Sequence, residues 1–112
     1  MIYKLLSAAE WAAAEAQGHC DGSADDRRDG FIHLSGPDQV VETARRHFAG
    51  QTGLVLLAVD PDRLGEDLRW EPSRGGAFFP HVYGPLPAHA VVAAYAVPDD
   101  RPVAAAVAAL LS

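Results

Sequence analysis

Apolar positions in this chain come in short blocks separated by turn residues, and each block carries the period of one element. Ile2 to Leu6 has the density of a strand, and Ser7-Ala8-Ala9-Glu10 has capping-box spacing, so a helix is expected from there to a stop at Gly18. His19 to Arg28 is polar and turn-rich and reads as a mobile loop. Asp29-Gly30 then turns the chain into Phe31-Ile32-His33-Leu34, a short strand with Phe31 and His33 on one face and Ile32 and Leu34 on the other. Ser35 is placed to cap a following helix, with Pro37 in its first turn and Asp38 completing a capping-box-like pattern. Val40, Val41, Ala44, His47 and Phe48 fall on one face of that helix, which Gly50 ends.

Leu54 to Val59 is an unbroken apolar run of strand length, which predicts burial on both faces. Leu68 to Glu71 reads as a strand with Arg69 and Glu71 on one side, and Pro72 to Pro80 as a flexible loop with Phe78-Phe79 at its tip. In His81-Val82-Tyr83-Gly84-Pro85-Leu86, alternation puts His81 and Tyr83 together, while Pro85 and Pro87 confine the piece to an edge or bend. Ala90 to Val97 is strand-like, and Asp99 or Asp100 caps a last helix running through Pro102 to Leu111. The order β-α-β-α-β-β-β-β-α lacks a regular βαβ repeat, so the expectation is an α+β fold in one domain over residues 1–112.

Composition narrows the function classes. A net charge of -6 argues against a bulk nucleic-acid binder, whose affinity comes from clustered Lys and Arg. Cys20 is the only cysteine, the start lacks the pattern of a signal peptide, and no apolar run reaches membrane-spanning length. A soluble, cytoplasmic, monomeric protein acting on a small molecule is expected. No metal is expected, because His19-Cys20-Asp21 are adjacent residues and no metal-ligand spacing occurs elsewhere. Gly75-Gly76 lacks the Walker spacing and lysine, and Ser35 lacks a nucleophile-elbow context.

Two polar groups remain, His33 with Ser35 and Arg69 with Glu71, His81 and Tyr83. On residue types alone, His33 reads either as a core histidine satisfied by the backbone or as a ligand-binding one, and Ser35 either as a cap alone or as the start of an anion site at a helix N-terminus. Strands carrying polar groups on a common side would build a cleft, with Phe78-Phe79 as its lid.

The stretches Asp29 to Ser35, Arg69-Trp70-Glu71 and Phe79 to Leu86 together resemble the small bacterial domain-of-unknown-function 952 family over nearly the whole chain. That family is similar to the ADP-ribosylation fold, two split small β-sheets with two to three helices gripping NAD in a cleft. The resemblance implies NAD as substrate or ligand, with His33 and Ser35 holding the adenosine ribose and the nicotinamide amide and Tyr83 stacking on nicotinamide. It further implies Glu71 at the nicotinamide ribose or acceptor. Catalytic candidates are thus Glu71 and His81, and cofactor-binding ones His33, Ser35, Tyr83 and Arg69. The alternative is a non-catalytic module for a nucleotide or small polar metabolite, favoured by Leu34 standing where such transferases carry glycine and by Glu71 preceding Tyr83.

Overall fold

The computed structural model describes residues 1–112 and has β4 (Leu54–Val59) at its centre. All six of its side chains are buried. Val55, Leu57 and Val59 point into one core with Ile2, Leu6, Val82 and Leu86, while Leu54 and Leu56 point into a second with Val40, Ala44, Val103 and Val107. An uninterrupted apolar run is what a strand covered on both faces requires. β4 lies between β1 (Ile2–Ser7) and β8 (Val91–Ala96) in an antiparallel sheet, with α3 (Val40–His47) and α4 (Val103–Leu111) over one face.

A second antiparallel sheet runs β3 (Ile32–His33), β6 (Phe78–Val82), β5 (Leu68–Pro72), and a two-stranded ribbon pairs β2 (His19–Cys20) with β7 (Leu86–Pro87). The two larger sheets touch through one bridge, where Tyr3 and Ser35 exchange N-H···O bonds of 2.8 Å. Beyond that bridge they diverge, and the molecule is an α+β domain of split small sheets with four helices, not two or three.

α1 (Ala8–Gln17) starts with the Ser7/Glu10 capping box and stops at Gly18, as its sequence dictates. Elsewhere the chain departs from expectation in four places. His19 to Arg28 is ordered rather than loop: Cys20 is buried in β2, and α2 (Ala24–Asp29) begins with a second capping box, Ser23 with Asp26. A shorter Asp replaces the usual Glu, so the box hides inside a charged run. The helix after Ser35 begins only at Val40, because the bridge to Tyr3 holds Ser35 extended, and Ser35 caps nothing. Phe78 and Phe79 belong to β6, with Phe79 buried, so they form no lid; the turn is 73–77, closed by Ser73 N-H to Ala77 O. Pro102, not Asp99 or Asp100, precedes the last helix. No helix is long and apolar enough to cross a membrane.

Candidate functional site

At the point where the sheets part, side chains take over the work of the missing strand ladder. After the Tyr3–Ser35 pair, the next hydrogen-bonding partners across an antiparallel ladder would be Leu5 and His33. Instead, the His33 N-H donates to Asp26 Oδ1 at 3.1 Å and the His33 carbonyl accepts from Lys4 Nζ at 3.0 Å. Lys4 and Asp26, both buried, join at 2.9 Å and close the circuit. Asp26 also accepts from the Ser23 N-H at 2.9 Å and from His33 Nδ1 at 2.6 Å. Burial alone would push this carboxyl up, but the bonds from His33 and Lys4 outweigh it and hold it well below the usual carboxylate range. His33 Nε2 lies 3.1 Å from Asp29 Oδ2, so the ring sits between two carboxylates.

His33 faces His81 across β3 and β6 in a pair without ladder bonds of its own, the closer kind of cross-strand pair. The rings meet edge to face at 5.5 Å, and Phe31 stacks on His81 at 4.1 Å and leans on His33 and Tyr83. Behind His81, Glu71 Oε1 accepts from its Nδ1 at 2.8 Å and from the Tyr83 hydroxyl at 2.7 Å. Those bonds, Tyr83 first and then His81, hold the Glu71 carboxyl below its ordinary value, and the same contact raises the Tyr83 phenol. Arg69 lies over the Tyr83 ring at 4.9 Å. His81 is only 4% exposed and lines a groove, and no protein group hydrogen-bonds its Nε2.

That groove, of about 710 Å3, follows β1 along the split between the sheets. Its floor carries His33, His81 and Phe79. Beside α2 it is lined by Asp25 and Asp29, both paired with Arg28, which also lines it; elsewhere it is lined by Arg46, Arg74, Thr43 and Ser35. There Ser35 Oγ and Thr43 Oγ1 are 2.9 Å apart, Arg74 Nη2 approaches Thr43 Oγ1 at 3.5 Å, and the Arg74 guanidinium lies over Phe79 at 4.8 Å. The groove's size falls in the range of small-molecule sites, roughly 300–1,000 Å3, while its lining is mostly polar and charged. No group of three His, Cys, Asp or Glu side chains is placed to hold a metal ion.

The candidates thus divide. His33, Ser35 and His81 line the groove, whereas Glu71, Tyr83 and Arg69 share the same sheet face but stand outside it. Lys4 and Asp26 were not singled out from sequence: Lys4 lies in an apolar strand and Asp26 is one of five consecutive charges. The one available signal was Ser23-x-x-Asp26, a cap that would have fixed Asp26 beside the strand. Arg74 sits in a Gly-rich segment whose turn only the structure reveals.

Among curated proteins none matches the chain. Among solved structures, the crystal structure of protein CC0527 from Caulobacter crescentus is 56% identical, covers 90% of this chain and 91% of its own, and superposes with a TM-score of 0.83. The solution NMR structure of CC0527 gives 55% identity over 90% of this chain and 89% of its own, with a TM-score of 0.77. The family model described as "Protein of unknown function (DUF952)" matches residues 5–94, most of the chain and every groove residue from Leu5 to His81, and the chain therefore belongs to the DUF952 family.

Proposed function

We propose that the groove binds a nucleotide of the ADP-ribose class, NAD or ADP-ribose itself. The observation that carries this reading is the division of polar groups along the groove: the Arg74 guanidinium and two hydroxyls in one part, and two imidazoles beside the Arg28-paired carboxylates of Asp25 and Asp29 in the other. A diphosphate suits the Arg74/Thr43/Ser35 end, since a planar guanidinium and hydroxyls supply charge-assisted donors. Ribose hydroxyls suit His33 and the carboxylates of Asp25 and Asp29. Resemblance to the ADP-ribosylation fold supports the same ligand class.

The nicotinamide half fits less well. Tyr83 stands outside the groove under Arg69, and Glu71 is committed to Tyr83 and His81. ADP-ribosyl transfer or NAD glycohydrolysis is accordingly the second reading, resting on Glu71 lying on the same sheet face as His33. Calorimetric titration of NAD, ADP-ribose and nicotinamide tests the first: heat with NAD and ADP-ribose and none with nicotinamide is expected, and no heat from any of them at millimolar ligand would overturn it. Release of free nicotinamide from NAD, lost in Glu71→Gln, would favour the second.

A further inference from the structure

His81 is 4% exposed, is held at Nδ1 by Glu71 and lines the groove, and no protein group hydrogen-bonds its Nε2. A carboxylate behind one nitrogen fixes the tautomer in which the other carries the lone pair, the arrangement of an oriented proton acceptor. His33, 5.5 Å away, repeats the motif with Asp26 behind its Nδ1, but its Nε2 lies against Asp29, a contact that is attractive only when that nitrogen carries its proton. Phe79 and His81 occupy the same face of β6 two residues apart, about 7 Å along the strand, the Arg74 guanidinium lies over Phe79, and all three line the groove.

Resting on the nucleotide reading of the groove, we propose that this pair of imidazoles hydrolyses a nucleoside 2′,3′-cyclic phosphodiester. His81 Nε2 takes a proton from water as the water oxygen forms its bond to phosphorus. The bond from phosphorus to one ribose oxygen breaks, and His33 Nε2 gives that oxygen a proton, displacing Asp29. One water is consumed, a monophosphate and a free hydroxyl are formed, and solvent exchange returns the proton from His81 to His33. Arg74, with Thr43 and Ser35, holds the non-bridging oxygens. The substrate class follows from magnitude: positioned proton transfer contributes about 10²–10⁴-fold, enough for a strained five-membered diester whose leaving oxygen stays tethered. Glu71 and Asp26 are positioning residues.

The test incubates the protein with 2′,3′-cyclic AMP, follows conversion by phosphorus NMR, and measures ADP-ribose binding by calorimetry in parallel. Conversion by the wild type is expected, with a loss of about 100-fold or more in His81→Asn. In Glu71→Gln, turnover should fall with KM unchanged, and this half-exposed position keeps the test usable should His81→Asn fail to fold. Binding without conversion overturns the hydrolytic inference and leaves the nucleotide reading standing. Neither binding nor conversion overturns both. Conversion equally fast in Glu71→Gln and in any folded His81→Asn also overturns it, since the activity would then not depend on the imidazole.

Discussion

Replacing Lys4 and Asp26 tests whether a buried ion pair stands in for strand pairing at the sheet split. Asp26→Leu removes the acceptor for Lys4 Nζ, the Ser23 N-H, the His33 N-H and His33 Nδ1, and leaves the ammonium with the His33 carbonyl alone. Breaking a buried pair from one side costs about 3–5 kcal/mol. Lys4→Met should cost less, because Asp26 keeps three donors. The informative variant is the double one. Replacing a buried pair by apolar residues is often neutral or stabilising, but here it would orphan the His33 N-H and carbonyl, each at about 1–3 kcal/mol. Lys4→Met/Asp26→Leu should therefore remain destabilised by about 2 kcal/mol or more in urea unfolding followed by the fluorescence of Trp11 and Trp70. A double variant as stable as the wild type would show that the pair carries none of the ladder's role.

The low Asp26 carboxyl sets the acid side of stability: its folded value lies below the ordinary 3.8, so its contribution is fully present above that value and is lost as pH falls from about 4 toward the folded value. Acid titration of unfolding should show this loss, and Asp26→Asn should flatten it. His33→Ala should weaken ADP-ribose binding and also cost about 1.5–3 kcal/mol, the worth of a hydrogen bond to a charged group, because its ring bonds a buried carboxylate; thermal melts beside calorimetry check both. Gly22→Ala should destabilise by about 1–3 kcal/mol in the same melts, since φ is +90° and the new Cβ would stand 2.7 Å from the Asp26 Cβ. Arg74→Ala should weaken ADP-ribose more than adenosine, read as a ratio of dissociation constants, because only the former brings phosphate to that end.

What the sequence disclosed follows from which signals are local. β4, α1 and the polar strand face were legible because an apolar run, a Ser/Glu box and period-2 alternation are written in consecutive residues. Even the neighbourhood of His33, Glu71, His81 and Tyr83 was foreseeable, since adjoining short strands repeat the same polar-side pattern. The Lys4–Asp26 pair was not, as its partners are 22 residues apart and it exists only because the sheets diverge after Ser35. The groove's basic end was hidden for a similar reason: Thr43 is an unremarked helix position until the delayed start of α3 turns it toward Ser35 and Arg74.

Amide chemical-shift mapping with ADP-ribose tests the groove most directly. Saturable shifts confined to residues around His33, Ser35, Thr43, Arg74 and His81, with Arg69 and Trp70 on the far strand little affected, are the expected result. Shifts centred on another surface, or none at millimolar ADP-ribose in a folded sample, would contradict nucleotide binding in the split between the sheets.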